Sequence, residues 1–332
     1  MSNLVDHIGQ LFIIGFSGEK PSPTFLNFVG EEDIGGVILF KDNCPTHQNT
    51  KINIDRIKET NPKQVPFIAV DQEGGQVCRI AGAPAEYLSA WEYSEKYGLE
   101  RFQEAYSRSL LFIESLGVNL NLAPVCDIFL NEKNGYLKER CFGDTADKVI
   151  PFIKAAVEIS NKNGILSCLK HFPGLGASEI DPHKIVSSAD YDEFVWEQRE
   201  KLTFAAGVKQ GADMIMTTHL RLPKIDEQIT TGSKKIITDY LRKLLCFDGP
   251  VITDDLTMKG AEGLGNLGER AVVAFNAGHD LLLFGQDIDA SMEAFDYFRE
   301  AFIRKEISEE QVKTSLERVA GIKFKLGKSI LL

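Results

Sequence analysis

Cysteine pairing of the kind that binds zinc or builds a disulfide framework is missing from this sequence. Its six cysteines lie far apart, and no two of them have the C-x-x-C spacing. In a chain of 332 residues this usage is typical of reduced, mostly buried thiols. Positive charge is also scarce, since 37 Lys and Arg face 48 Asp and Glu and give a net charge of −11. We therefore expect no nucleic-acid partner and no docking on an anionic membrane.

Long apolar runs are absent too. No stretch approaches the roughly 20 apolar residues that a membrane-spanning helix needs. The sequence begins MSNLVDHIGQ, in which no basic segment precedes an apolar run, so it lacks the pattern of a signal peptide. These features predict a soluble, cytoplasmic protein.

What the sequence does contain is a recurring short apolar run followed by a turn and a helical pattern. Eight such runs occur: LFIIGF (11–16), GGVILF (35–40), VPFIAV (65–70), VNLNLAPV (118–125), GILSCLKHF (164–172), ADMIMTTHL (212–220), GPVITDDL (249–256) and HDLLLFG (279–285). Continuous apolar strands indicate a parallel sheet that is covered on both faces. Eight strands alternating with helices predict a single (β/α)8 barrel, and the pattern is compatible with irregular strands.

The rival fold is a doubly wound open sheet, but no G-x-G-x-x-G follows the first run. Between the runs, 193–211 and 233–246 are expected to be helices, the first ending at Gly211 and the second capped by Ser233. The tail over 307–327 is expected to form a last helix. Nothing is then left for a second domain, so we expect one domain over residues 1–332.

Polar residues follow at least four of the runs, where barrel enzymes build their sites. Asp254 and Asp255 follow the seventh run, and the pair is consistent with a helix N-cap, a nucleophile or a metal ligand. Lys170 and His171 close the fifth run. They could be buried and paired, could bind sugar hydroxyls, or Lys170 could form a Schiff base.

The loop after the fifth run also contains proton-handling groups. Pro173, Gly174 and Gly176 disfavour a helix there. Asp181 and His183 flank a proline, and an Asp that hydrogen-bonds a His fixes its tautomer and raises its basicity. Such a His can donate and then recover a proton, although two solvated loop residues would give the same pattern.

Acidic and basic side chains that could bind a substrate occur in two further segments. DQEGGQVCRI brings Asp71, Glu73 and Arg79 to the end of the third run, and Arg140 lies in ERCFGD. A carboxylate can bind vicinal hydroxyls, and an Arg can orient it or bind a substrate carboxylate.

Taken together, these segments resemble the family 3 glycoside hydrolases, and among them the β-N-acetylglucosaminidases of bacterial peptidoglycan recycling. The matching segments follow the family's order through most of the chain. They are D-x-E-G-G-x-V-x-R (71–79), A-P-V-x-D (123–127), R-x-F-G (140–143), K-H-F-P-G-x-G (170–176), D-x-H (181–183) and T-D-D-L-x-M (253–258).

The resemblance implies a role for each candidate residue. Asp254 would be the nucleophile of a retaining glycosidase, with Asp255 as a supporting or capping residue. His183 would be the acid/base and Asp181 its orienting partner. The residues that would bind the sugar are Asp71, Arg79, Arg140, Lys170 and His171. The resemblance further implies a GlcNAc-terminated carbohydrate substrate, no metal or other cofactor, and a monomer.

The chain departs from the family pattern at several positions. Leu175 lies where a His is common, Pro182 replaces a small hydroxyl residue, and 128–139 lacks an expected Asn-Pro pattern. These departures keep other functions open: a family 3 β-glucosidase of altered specificity, or a GlcNAc-binding barrel without turnover. Two further enzyme classes stay open because the sequence contains the residues they would need. A metal-dependent hydrolase could use His171, His183 and Asp254, and a Schiff-base lyase could use Lys170.

Overall fold

The eight apolar runs form the eight strands of a nearly closed parallel barrel. The structure is a computed structural model that describes residues 4–60, 65–80, 82, 87–178 and 187–327. The barrel strands are β1 (Phe12–Ile14), β2 (Gly36–Leu39), β3 (Phe67–Val70), β4 (Leu120–Asn121), β5 (Leu166–Phe172), β6 (Met214–Thr217), β7 (Val251–Ile252) and β8 (Leu282–Phe284). The predicted (β/α)8 barrel is therefore confirmed.

Neighbouring strands pair in chain order, and the ring closes through β8. β1 pairs with both β2 and β8, with Phe12 opposite Leu282. A single bridge between Ile252 and Leu281 joins β7 to β8. β4 and β7 contain only two strand residues each. A proline flanks β7 and another follows β4 closely, and since proline has no N–H it shortens a ladder.

Side chains alternate between the barrel interior and the surrounding helices. Ile13, Ile38 and Phe67 belong to the interior cluster. Phe12 and Ile14, on either side of Ile13, belong to the larger cluster between the strands and the helices. Both faces of the strands are thus buried, which explains why the runs are continuously apolar.

Within the described ranges, ten helices of α or π type with six or more residues surround the strands. They are α1 (Pro23–Glu31), α2 (His47–Thr60), α3 (Gly98–Ser115), α4 (Ala146–Asn163), α5 (Glu193–Gln198), α6 (Glu200–Lys209), α7 (Lys235–Leu244, with π-type hydrogen bonds), α8 (Leu267–Ala277), α9 (Ile288–Ile303) and α10 (Glu309–Phe324). The remaining helical segments are the 3₁₀ segments Leu4–Leu11, Lys41–Asn43, Thr230–Gly232 and Lys259–Leu264, the π-type segment Tyr93–Tyr97, and the short α-helical segments Ala90–Glu92 and Gly135–Lys138.

The helix starts follow from side-chain caps. Thr145, Asp287 and Ser308 each accept a hydrogen bond from a backbone N–H in the first turn. Ser233 likewise accepts a bond from the Ile236 N–H at 3.1 Å, as the sequence predicts. No helix within the described ranges is both long enough and apolar enough to cross a membrane.

The helix predicted over 193–211 is wrong as a single element. It is broken at Arg199, whose φ of −135° and ψ of −81° are not helical. The break lets α5 turn toward the loop after β5, where the Trp196 indole donates to the Pro173 carbonyl at 2.9 Å. The Tyr191 hydroxyl, just before α5, donates to the Gly174 carbonyl at 3.0 Å. Tertiary anchoring of this loop therefore overrides the helical pattern.

The amino-terminal end of the barrel is closed by α10. Its Val319 and Ile322 join the interior cluster. Lys323 is fully buried there, and its Nζ donates to the Gln10 Oε1 at 2.7 Å. The opposite end, at the carboxyl ends of the strands, is open.

Candidate active site

A cleft of about 340 Å³ opens at the carboxyl end of the barrel. Six of the predicted site residues line it: Asp71, Arg79, Arg140, Lys170, His171 and Asp254. Apolar side chains from the strands, among them Leu122, Met216 and Leu283, complete the lining. The site thus combines charged groups with an apolar floor, which is typical of a pocket that binds a small polar ligand.

Lys170, at the end of β5, lies between two carboxylates. Its Nζ is 2.7 Å from the Asp71 Oδ1 and 2.6 Å from the Glu73 Oε1. Burial alone would lower the pKa of Lys170, but Asp71 and Glu73 raise it above its ordinary value. Lys170 is therefore a paired ammonium group. This state argues against a Schiff base, which requires a neutral amine as nucleophile.

Arg140 is fixed by a two-pronged ion pair. Its Nε and Nη2 each lie 2.8 Å from one oxygen of the Glu73 carboxylate. Burial would raise the pKa of Glu73, but Arg140 and Lys170 hold it well below its usual value. Glu73 is thus an anion that holds two cations of the cleft in place. Arg79 is also paired, since its Nη2 lies 3.4 Å from the Asp71 Oδ2.

His171 is held in one tautomer by its two neighbours. Its Nε2 lies 3.1 Å from the Arg140 Nη2, and its Nδ1 lies 2.6 Å from the Asp127 Oδ2. A guanidinium group can only donate, so Nε2 accepts and Nδ1 carries the proton. Asp127 then accepts the Nδ1–H. Its other oxygen accepts from the Leu175 N–H at 2.6 Å.

Sequence reasoning gave Asp127 no role, although it closes the A-P-V-x-D segment. Its carboxylate is 1% exposed and joins the residues after β4 to the end of β5. A buried Asp after a strand, in a segment with other matching motifs, was the signal that could have identified it.

Two of the departures from the family pattern have a local explanation. The Leu175 side chain is buried in the apolar cluster around the barrel, and its backbone N–H donates to Asp127. In 128–139, the Asn134 Nδ2 donates to the Ser178 Oγ at 2.8 Å. The Leu130 N–H donates to the Gly176 carbonyl at 3.3 Å. The segment 128–139 therefore supports the loop that follows β5.

Asp254 and Asp255 have different surroundings. The Asp254 N–H donates to the Thr217 carbonyl at 3.0 Å, and the Asp254 Oδ1 accepts from the Asp255 N–H at 2.8 Å. The Asp255 Oδ1 accepts from the Thr257 N–H at 2.8 Å and from the Gly285 N–H at 3.0 Å. Burial raises the pKa of Asp255 despite these bonds.

These contacts show that Asp255 is a turn-fixing residue. The next helical segment begins only at Lys259, so neither aspartate is a helix N-cap. His219, another residue without a role in the sequence reasoning, contacts the Asp255 carbonyl from the end of β6.

Asp181 and His183, the predicted orienting partner and acid/base, lie outside the described residues, as does Pro182. The described chain approaches them through Ser178 and continues from Ser187.

Comparison with known proteins gives consistent matches. A model of the glycosyl hydrolase family 3 N-terminal domain matches residues 3–322. The β-hexosaminidase A of Pseudoalteromonas piscicida is 31% identical over 337 residues, which cover 92% of this chain and 56% of that protein. The β-hexosaminidase of Xanthomonas axonopodis pv. citri (strain 306) is 29% identical, covering 82% of this chain and 83% of that protein.

A solved structure of a glycoside hydrolase family 3 β-N-acetylglucosaminidase from Paenibacillus sp. str. FPU-7 has a TM-score of 0.92 and 27% identity. The match covers 100% of this chain and 65% of that one. This chain therefore spans a little over half the length of the Pseudoalteromonas protein and about two thirds of the Paenibacillus chain.

Proposed function

The chain belongs to glycosyl hydrolase family 3, and on that premise we propose that it is a retaining β-N-acetylhexosaminidase. Its substrate would be a carbohydrate with terminal β-linked GlcNAc, such as the GlcNAc-anhydroMurNAc fragments derived from peptidoglycan. The names of its relatives support the hexosaminidase activity. The cytoplasmic location, the monomeric state and the one-domain organisation over residues 1–332 stay predictions from the sequence.

The observation that carries the proposal is the meeting of six predicted residues in one cleft. Asp254 follows β7, and the paired groups Asp71, Arg79, Arg140 and Lys170, together with His171, line the same cleft. Fixed ammonium, guanidinium and carboxylate groups can bind the hydroxyls of one sugar ring from several directions. We assign sugar binding to these five residues and nucleophilic attack to Asp254.

The chemistry needs two catalytic groups and no redox partner. The Asp254 carboxylate attacks C1 while His183, oriented by Asp181, protonates the departing glycosidic oxygen. An ester joins C1 to Asp254. His183 then takes a proton from water as the water oxygen attacks C1, the ester breaks, and Asp254 leaves as a carboxylate. Two inversions give net retention.

Hydrolysis of aryl glycosides tests the activity. We would compare p-nitrophenyl β-GlcNAc with p-nitrophenyl β-glucoside, with and without chelator, for the wild type, Asp254→Asn and Asp239→Asn. Asp239 is a half-exposed acid on α7 that pairs with Lys243, so its variant is a matched control. We expect turnover of the GlcNAc substrate, lost in Asp254→Asn and kept in Asp239→Asn.

Each other result has a definite meaning. Preference for the glucoside would move the protein to the β-glucosidase branch, and loss of turnover in chelator would indicate a metal-dependent hydrolase. GlcNAc binding without any turnover would indicate a binding protein. Near-normal activity of Asp254→Asn would refute the nucleophile assignment.

A covalent label tests the mechanism separately. A fluorinated GlcNAc donor, whose glycosyl-enzyme breaks down slowly, should add one sugar mass to the peptide that contains Asp254. The first product released from an ordinary substrate should be the β-anomer by proton NMR. Release of the α-anomer would contradict retention.

A further inference from the structure

The loop that carries Asp254 is held by hydrogen bonds at successive peptide groups. The Asp254 N–H bonds the Thr217 carbonyl after β6, and the Leu256 N–H bonds the Leu283 carbonyl of β8 at 2.9 Å. The Leu256 carbonyl accepts from the Arg270 Nη1 at 2.8 Å. Between these points, the Asp255 carbonyl accepts from the Met258 N–H at 3.0 Å and from the His219 side chain, also at 3.0 Å.

His219 can make this contact in only one tautomer. Its side chain is fully buried at the end of β6. A carbonyl oxygen can only accept, so Nε2 carries the proton and Nδ1 is an acceptor. The Thr231 Oγ1 lies 2.7 Å from Nδ1 and supplies the matching hydroxyl proton. Burial lowers the pKa of His219, which keeps the ring neutral.

The Thr231 hydroxyl also lies within hydrogen-bond distance of the Thr218 carbonyl, at 3.1 Å. That carbonyl already accepts from the Thr230 hydroxyl. The contact with the imidazole, at 2.7 Å, is the shorter of the two, and we assign the single Thr231 proton to it. The Thr231 hydroxyl, the His219 imidazole and the Asp255 carbonyl then form a continuous series of hydrogen bonds. Both ring nitrogens have a partner, as a buried polar network requires.

We propose that His219 is a positioning residue for Asp254, acting through the Asp255 carbonyl. This inference rests on the proposed function, in which Asp254 is the nucleophile. The Asp254 carboxylate takes its orientation partly from the Asp255 N–H, which donates to its Oδ1 at 2.8 Å. The Asp255 carbonyl lies at the other end of that same residue. Holding it limits the rotation that would move the donor away.

His219 does this without contacting the substrate space, because it is not among the described residues that line the cleft. Its loss should therefore change the reaction step more than substrate binding. A displacement of about 1 Å at a reacting group can cost about 100-fold in rate.

Two substitutions of His219 distinguish the contribution of its Nε2 from that of its Nδ1. In His219→Gln the amide nitrogen can take the place of Nε2 and donate to the Asp255 carbonyl. In His219→Asn the shorter amide can accept from Thr231 but cannot reach that carbonyl. We expect kcat on p-nitrophenyl β-GlcNAc to fall about 10- to 100-fold in His219→Asn, and to stay within about threefold of wild type in His219→Gln. KM should change less than about threefold in both variants.

The pH profile gives a readout that loss of packing would not produce. In His219→Asn the acidic limb of kcat/KM should move to higher pH, because the Asp254 carboxylate loses part of a hydrogen bond that favours its charged form. Equal kcat in the Gln and Asn variants, an unmoved acidic limb, or a loss confined to KM would overturn the proposal.

A second pair of variants covers the case in which His219→Asn does not fold. Thr231→Val removes the donor to Nδ1, and Thr231→Ser keeps it. A lower kcat in the Val variant alone is expected, and equal kcat in the two would overturn the proposal. Activity in Asp254→Asn would instead refute the proposed function. Inactive Asp254→Asn beside unimpaired His219 and Thr231 variants would refute only the role of His219.

Discussion

Asp127→Asn should disrupt the residues to which we assign sugar binding, although Asp127 itself does not line the cleft. The Asp127 carboxylate accepts from the His171 Nδ1–H through one oxygen and from the Leu175 N–H through the other. An amide has one acceptor atom where the carboxylate has two. The substitution therefore places an NH₂ group against one of the two donors, whichever way the amide is turned.

The cost can be worked out for both orientations. If the amide NH₂ is turned toward Leu175, two buried donors face each other, the NH₂ and the Leu175 N–H. They meet where 2.6 Å now separates the Leu175 nitrogen from the Asp127 Oδ1. With its NH₂ toward His171, the Asn forces the proton to Nε2, which then faces the donating Arg140 Nη2 at 3.1 Å. A buried unsatisfied donor costs about 1–3 kcal/mol. We expect about 2–3 kcal/mol, equivalent to about 30- to 150-fold in kcat/KM.

A double-mutant cycle with His171→Gln tests this reasoning. We would measure kcat/KM on p-nitrophenyl β-GlcNAc and urea unfolding for wild type, both single variants and the double variant. If Asp127 acts through His171, its substitution should cost at least about tenfold less when His171 is already replaced. Additive effects on kcat/KM, or a change of less than threefold in Asp127→Asn, would refute the reasoning.

Two further predictions concern buried charges, one at the closed end of the barrel and one that pairs with cations of the cleft. Burial lowers the pKa of Lys323 to about 7, whereas Lys in the unfolded chain titrates at about 10.4, so below about pH 7 the folded state holds a buried ammonium group that costs stability. Lys323→Met should raise the free energy of unfolding by about 2–3 kcal/mol near pH 6.5, after about 1–2 kcal/mol for the Gln10 hydrogen bond is lost. The gain should shrink as pH rises above about 7 and should vanish or reverse as pH approaches the unfolded pKa of about 10.4. A gain independent of pH in urea unfolding would contradict this. Glu73→Gln should destabilise the protein by about 3 kcal/mol at pH 7, because it leaves Arg140 and Lys170 without their shared anion. Because Arg140 and Lys170 hold the folded pKa of Glu73 well below its usual value, its contribution is fully present above about pH 4.3 and is lost as pH falls through the folded pKa. The difference in urea unfolding between wild type and variant should therefore narrow steadily below about pH 4.3; a constant gap would argue against the ion pair.

The barrel and the location of its cleft could be predicted because both depend on local patterns. Buried parallel strands are apolar on both faces, so each strand is visible as a run in the sequence. The carboxyl ends of parallel strands meet at one end of the barrel. Polar residues after the runs, such as Asp71, Lys170 and Asp254, must then lie close together. The location of the cleft therefore follows without knowing which distant segments contact each other.

The supporting residues could not be predicted because their roles depend on contacts between distant segments. Asp127 acts on His171 across 44 positions of the chain, and His219 acts on Asp255 across 36. Each is an ordinary polar residue until the neighbouring strand is in place. The break at Arg199 has the same origin, since the helical pattern continues through it while Trp196 is drawn to the Pro173 carbonyl. Tertiary hydrogen bonds decide these features, and they leave no periodic signal.

The departures from the family pattern can be separated by whether the site uses a side chain or the main chain. Leu175 contributes only its N–H, to the Asp127 Oδ1, and its side chain lies in the apolar cluster. Any residue other than proline supplies that N–H, so the absence of a His there leaves the Asp127–His171–Arg140 arrangement unchanged. The Gly176 carbonyl is used in the same way, by the Leu130 N–H. Asn134 is different, because its side chain donates to Ser178 and a change there would release the loop. A departure at Leu175 therefore weighs little against catalysis, whereas a change at Asp127 or Asn134 would weigh heavily.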